Sequence, residues 1–238
     1  MDNNFAIESF IEYCDSMMIA NEAKINIGET IKNVVKRIIE ALKKLGEMIR
    51  KGVEKAKEKY SEKTKFVDQY GTFEIISNNM GFLNTTTELC VKLTDKLMSI
   101  DHPDSLKTYD SPLDTCQDMC DELKEKVEFG KQIEEKLRET HSNRKIISKK
   151  EFSYSDLNKF HKILYGNMRK LTTLANSLYK QSDLQDILGN HRRAQIIANT
   201  LSAIQKFVWI MTTFENFAHK TLYDGTIDEM MGVKKENR

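Results

Sequence analysis

Residues 196–217 read IIANTLSAIQKFVWIMTTFENF and form the most apolar stretch of this 238-residue chain. Apolar side chains recur there every three or four positions, which is the spacing of one face of an α-helix. They are Ile196, Ile197, Leu201, Ile204, Phe207, Val208, Met211, Phe214 and Phe217. We therefore predict a helix over about residues 191–223 and place it at the centre of a helical bundle. Its longest apolar run, 207–211, is far shorter than the roughly 20 residues that a membrane span needs.

The same helical periodicity runs through the rest of the chain, and no stretch has the clear period-two alternation that is typical of a strand. Five further helical segments are predicted, at about 3–20, 27–60, 72–100, 112–140 and from Ser153 or Ser155 to about 178. Polar connections separate them at 61–71, 101–111 and 141–153. We predict an all-α fold, namely an elongated antiparallel bundle of four long helices over 72–223. Residues 1–71 form an N-terminal helical extension, and residues 224–238 form a flexible tail.

The charge of the chain switches sign near its start. Residues 1–22 contain five acidic residues and neither Lys nor Arg, and the stretch from Lys24 to Lys65 contains 13 basic and 6 acidic residues, a local net charge of +7. The whole chain has 37 basic and 36 acidic residues, so it lacks the global positive charge of a typical nucleic-acid-binding domain. We therefore distinguish an acidic amphipathic leader, 1–22, from a basic amphipathic helix with its connection, 23–71.

Three interpretations of the basic helix are open. In the first, its apolar stripe packs on the bundle and its lysines are solvated. In the second, it lies on an anionic membrane surface. In the third, its basic side chains contact nucleic-acid phosphate without base recognition, because no aromatic residues are interleaved to stack bases. Six glutamates among the lysines weaken the second and third. The candidate contact residues are Lys32, Lys36, Arg37, Lys43, Lys44, Arg50 and Lys51.

The chain has none of the common catalytic or nucleotide-binding motifs, such as GxxxxGK[ST], GxGxxG, GxSxG or HExxH. We predict that it is not an enzyme and has no catalytic residue, no cofactor and no metal ligand. His161 and His219 fall near apolar stripes, so we interpret them as partly buried, hydrogen-bonded side chains. Cys116 and Cys120 are interpreted as buried thiols in a reducing compartment. An acidic cluster is interpreted as a solvated helix face and consists of Asp114, Asp118, Asp121, Glu122 and Glu125.

The leader reads FAIESFIEY at residues 5–13 and ANEA at residues 20–23. Over these 23 residues the chain resembles the capsid-targeting leaders of internal head proteins in large tailed bacteriophages. The resemblance implies that a short acidic helix docks the protein into the growing prohead. It also implies that a head-maturation protease cuts between Glu22 and Ala23. The mature chain would then carry 37 basic and 31 acidic residues, a net charge of +6, which suits a protein packed beside DNA.

These observations lead us to expect a non-enzymatic virion protein inside a phage head, whose basic helix contacts DNA or other head components. One alternative is a protein that acts at an anionic membrane surface. A second is an intracellular helical adaptor or scaffold that self-associates through its helices. The expected location is the virion interior or the host cytoplasm, because the acidic N-terminus lacks the apolar core of a secretory signal.

Overall fold

The computed structural model describes residues 27–60, 64–100, 110–143, 150–180 and 191–236. Helices dominate this part of the chain, so the predicted all-α helical bundle is confirmed. The predicted leader, 1–22, lies outside the described residues. The elements are α1 Ile27–Lys59, β1 Lys65–Asp68, α2 Thr72–Asn78, α3 Met80–Ser99, α4 Asp110–Asn143, β2 Lys150–Ser153, α5 Tyr154–Lys180 and α6 His191–Glu236.

Helix α6 is the central helix, as the apolar pattern of the sequence predicts. It packs against α1, α2, α3 and α4. Its Phe207 contacts Phe82 near the start of α3, with ring centroids 5.9 Å apart, and its Arg193 donates a 2.6 Å hydrogen bond to the carbonyl of Leu97 near the end of α3. Helices α3 and α6 are therefore antiparallel. No helix in the described part of the chain is both long and apolar enough to cross a membrane.

Helix α1 packs on the bundle, as the first interpretation of the basic helix holds. It packs against α5 and α6 and shares one continuous core with them. Its buried apolar residues are Ile31, Val34, Val35, Ile38, Leu42, Leu45 and Ile49. The apolar pattern of α1 predicts which side of the helix is buried, but it does not predict which elements cover that side. In the sequence, α1 differs from the other helices only in its positive charge.

Two short strands correct the prediction that the chain has none. Strands β1 and β2 pair antiparallel, with Phe66 opposite Phe152, inside segments that the sequence predicts to be polar connections. The ring of Phe152 stacks on Phe66 and on Phe73 of α2, with centroids 5.3 Å and 4.2 Å away. The sheet thus ties the connection after α1 to the connection before α5. Each strand has only four residues, too few for a period-two pattern to stand out.

Three helix boundaries differ from or refine the prediction. The segment 72–100 is two helices, because the side chain of Asn79 donates a 2.7 Å hydrogen bond to the carbonyl of Ile75 and ends α2 there. Helix α6 continues to Glu236, where the sequence predicts a flexible tail from residue 224. Ser153, one of the two predicted starts of this helix, is the N-cap of α5, since its hydroxyl accepts a 3.2 Å hydrogen bond from the N–H of Asp156.

Candidate functional site

The solvent side of α1 carries the predicted contact residues in two parallel columns. Side chains seven positions apart on a helix lie nearly in line, about 10 Å apart along the axis. Lys36, Lys43 and Arg50 form one column, and a second column one residue further along is formed by Arg37, Lys44 and Lys51. These six residues and Lys32 are all exposed. We call these seven side chains the basic face.

Glutamates divide the two columns. Glu40, Glu47 and Glu54 are also seven residues apart, and each follows a basic residue of the first column by four positions. Arg50 and Glu54 form such a pair at 3.1 Å, with side chains 62% and 55% exposed. Exposed pairs of this kind contribute less than about 1 kcal/mol, and salt screens them. The basic face therefore keeps its positive groups available to a polyanion, although its net charge is reduced.

The opposite side of α1 is anchored in the core. Ile38, Leu42 and Leu45 are 1%, 0% and 0% exposed. This confirms the interpretation that the apolar stripe packs on the bundle. The basic face is consequently held on a fixed helix and not on a free one.

A second candidate site lies where α5 and α6 meet. Glu215 and His219 are one turn apart on α6, so their side chains lie on the same side of that helix. The carboxylate oxygen Oε1 of Glu215 is 3.3 Å from Nε2 of His161, on α5, and 3.0 Å from Nε2 of His219. The side chain of Glu215 is 0% exposed, that of His161 is 4% exposed, and that of His219 is 33% exposed. We call these three residues the histidine–carboxylate cluster.

A glycine of α1 makes room for the cluster. A Cβ atom at Gly52 would lie 2.1 Å from Nε2 of His219, which is too close for two non-bonded atoms. Gly52 therefore allows the backbone of α1 to pass directly beside the His219 ring. His219 is thus the group that approaches α1 at Gly52.

The electrostatics of the cluster favour an ionised carboxylate. Burial raises the pKa of Glu215, but the two histidines beside it outweigh burial and lower that pKa to about 2. Neither ring nitrogen of His161 and neither carboxylate oxygen of Glu215 has a well-aligned hydrogen bond with any described residue. The three side chains are thus in close contact without satisfying one another's hydrogen-bonding groups.

The sequence predicts no metal ligand, but the structure brings together three side chains that could hold an ion. One ligand atom from each of His161, Glu215 and His219 lies within 4.8 Å of the other two. The four-residue spacing from Glu215 to His219 is visible in the sequence, but the third residue comes from another helix and no local pattern points to it. The sequence therefore places both histidines near apolar stripes but does not reveal the carboxylate between them.

The other predicted features have simpler outcomes. The acidic cluster on α4 is exposed at all five positions, which confirms a solvated face. Cys90, Cys116 and Cys120 are buried free thiols, as expected for small core side chains. Burial raises the pKa of Cys90 to about 12, so its thiol is not a nucleophile at neutral pH.

Comparisons of the chain with protein-family models, curated proteins and solved structures find no match. Its function is therefore inferred from the basic face, from the histidine–carboxylate cluster and from the resemblance of its leader.

Proposed function

We propose that this chain is a non-enzymatic virion protein packaged inside a phage head, and that its basic face contacts DNA phosphate. The observation that carries the proposal is the arrangement of the seven basic side chains. All of them are exposed, and they belong to a helix whose other side is anchored in the core. The packaging part rests on the resemblance of residues 5–23 to capsid-targeting leaders.

Contact with phosphate needs positive side chains and little else. Lys and Arg that neutralise phosphates release condensed counterions, which gives an attraction that is independent of sequence and sensitive to salt. A helix with two basic columns presents such groups on one face, and fixed positions reduce the ordering cost of binding. The described part of α1 offers no aromatic residue beside the columns for stacking on bases. The proposed contact is therefore with the DNA backbone.

The membrane alternative fits the fold less well. An interfacial helix must insert its apolar side below the headgroups. Ile38 and Leu42, which would insert, are instead 1% and 0% exposed in the core. Helix α1 would have to leave the bundle to bind lipid, and the loss of this burial opposes such a movement. The adaptor alternative needs an exposed apolar face, and α1 does not supply one.

The proposed DNA contact predicts salt-dependent binding that charge reversal on α1 weakens. We expect the purified chain to bind random-sequence duplex DNA, with an affinity that falls as salt rises. The triple variant Lys36→Glu, Lys43→Glu, Arg50→Glu removes one column. The slope of log affinity against log salt falls by about 0.9 for each phosphate that is no longer neutralised, so it should fall by up to about 3. Affinity at low salt should fall at least about tenfold. Fluorescence anisotropy with labelled DNA measures both quantities.

A variant with the same charge change elsewhere is the control. Lys124→Glu, Lys131→Glu, Lys136→Glu reverses three charges on α4, where the solvated face carries the acidic cluster. Its DNA affinity should stay within a few-fold of that of the unmodified chain. Equal losses in the two triple variants would show that only net charge matters and would contradict a contact at the basic face. Absence of DNA binding at low salt would contradict it directly.

The packaging part makes a separate prediction about processing. If residues 1–22 are a targeting leader, the protein isolated from mature particles begins at Ala23, because the protease cuts after Glu22. Intact-mass measurement and N-terminal sequencing of the protein from its native source test this. As a control, the chain expressed without the protease should keep its leader, and adding the protease should release it. If the protein from mature particles begins at Met1, the processing prediction is wrong. The proposed DNA contact would be unaffected, because the binding experiment tests it separately.

A further inference from the structure

We propose that His161, Glu215 and His219 bind one divalent transition-metal ion of the first row, with Zn²⁺ and Co²⁺ as the probes of choice. The site would join α5 to α6 next to Gly52 of α1. The inference is independent of the phosphate contact proposed above, because none of the three residues belongs to the basic face.

The donor atoms identify the class of metal. Two imidazole nitrogens and one carboxylate oxygen suit Zn²⁺, Co²⁺ and Fe²⁺, whereas Mg²⁺ and Ca²⁺ prefer sites made of oxygen alone. Zinc sites with three protein ligands keep a further position for water or another small ligand. The His219 side chain is 33% exposed, so an ion can reach the cluster from solvent on that side.

The distances are close to those that one ion requires. Ligand atoms bind Zn²⁺ at about 2.0–2.2 Å, so two ligands of one tetrahedral ion lie about 3.4 Å apart. Oε1 of Glu215 is already near that spacing from both Nε2 atoms, at 3.3 Å and 3.0 Å. The ligand atoms of the cluster already lie within 4.8 Å of one another. The widest separation in the cluster must therefore contract by up to about 1.4 Å, through rotation of the side chains, for all three atoms to share a tetrahedral ion.

Unsatisfied polar groups provide an independent argument for a ligand. Buried polar atoms nearly always have a hydrogen-bonding partner, so each exception calls for an explanation. His161 and Glu215 are more than nine-tenths buried, yet all four of their side-chain nitrogens and oxygens lack a well-aligned partner among the described residues. One ion at the cluster would satisfy a lone pair on each of the three side chains at once.

A cluster held together by protons alone is the competing explanation. Two protonated histidines would also stabilise the Glu215 carboxylate, without any metal. The two explanations differ in a measurable way, because only the metal-site explanation requires the chain to bind a divalent ion. Binding of metal to the unmodified chain, and its dependence on all three residues, decides between them.

The test is a titration of the full-length chain after treatment with a chelator. We expect saturable binding of one Zn²⁺ or Co²⁺ per chain by isothermal titration calorimetry, and no comparable binding of Mg²⁺. Bound Co²⁺ should give visible absorption bands that report imidazole and carboxylate coordination. Metal should also raise the melting temperature, since an ion that binds only the folded chain stabilises it.

Substitutions test whether the metal ion binds at the histidine–carboxylate cluster. His219→Gln removes a ligand whose side chain is one-third exposed, so we expect the fold to persist and the affinity for Zn²⁺ to fall at least about 100-fold. Gly52→Ala removes no ligand, but its new Cβ displaces the end of the His219 side chain. The affinity of the Gly52→Ala variant for Zn²⁺ should therefore fall at least about tenfold. Gly166→Ala is the matched control, because nothing lies within 4 Å of a Cβ there. Its affinity should equal that of the unmodified chain.

Two results would overturn the proposal. The first is the absence of saturable Zn²⁺ or Co²⁺ binding at millimolar metal. The second is binding that His219→Gln and Gly52→Ala leave unchanged, which would assign the metal to other ligands of the chain. Because both variants keep His161 and Glu215 in the core, the outcome does not depend on a variant that fails to fold.

Discussion

Leu42→Ala is expected to lower the free energy of unfolding by about 2–5 kcal/mol. Leu42 lies in the middle of α1 and is 0% exposed. Truncation removes apolar contacts and leaves a cavity between α1 and the helices that it packs against. Urea unfolding followed by circular dichroism measures the loss, and the shift of the midpoint at a constant slope shows that stability alone has changed.

Lys43→Ala, at the next position, is the control for this prediction. Its side chain is exposed, so stability should change by no more than about 0.5 kcal/mol. A loss below about 1 kcal/mol for Leu42→Ala would mean that α1 is not held in the core. The membrane alternative would then be favoured, since a helix that leaves the bundle easily can insert Ile38 and Leu42 into a headgroup layer. The same pair of variants therefore tests both the fold and the choice between functions.

The long helices could be predicted because each repeats its signal many times. In α4, Leu113, Cys116, Cys120, Leu123 and Val127 follow one another at three or four residues, and all five are buried. A pattern of this length identifies the helix and its inward side together. The apolar pattern of α6 likewise exceeds that of any other segment, and α6 is the helix that most others contact.

The remaining features depend on contacts between distant parts of the chain. Each strand offers one phenylalanine, and only the pairing of Phe66 with Phe152 makes them part of a sheet. The surface that covers the apolar stripe of α1 cannot be predicted from the local sequence either, since such a stripe fits a bundle, a membrane or another protein. Gly52 is an example of a residue whose contact cannot be predicted from the local sequence. A glycine beside an apolar stripe allows either a close approach or a bend, and the residue that approaches, His219, is known only once α1 and α6 are packed together.

The cluster could not be predicted for the same reason. Of its three residues, only Glu215 and His219 are close in sequence, and such a spacing is common on solvated helices. His161 comes from α5 and is 4% exposed. What makes the three residues unusual is their burial together, which is a property of the packed bundle. A carboxylate near the centre of the most apolar helix is the available signal, because carboxylates are almost never fully buried unless paired.

Glu215→Gln is expected to destabilise the metal-free protein at neutral pH by about 3 kcal/mol, and this difference should vanish in acid. The pKa of Glu215 is lowered from 4.5 to about 2 by the two histidines, against the opposing effect of burial. The unfolded chain therefore binds the proton more readily than the folded chain between these values. The ionised carboxylate contributes its full stabilisation above about pH 4.5 and loses it as the pH falls towards 2. The neutral Gln side chain has no such dependence.

The measurement is the free energy of unfolding of both proteins in urea, with a chelator present, from about pH 7 down to about pH 3. The difference should shrink steadily as the pH falls below about 4.5. Subtracting the variant from the unmodified chain removes the titration of the other carboxylates, which both proteins share. Glu125→Gln, at an exposed position of α4, should differ from the unmodified chain by no more than about 0.5 kcal/mol at neutral pH. A Glu215→Gln difference that stays constant across this range would mean that the carboxylate contributes through its shape and packing and not through its charge. In that case the two histidines could not be holding it ionised, and the electrostatic basis for a cation at this position would be lost with it.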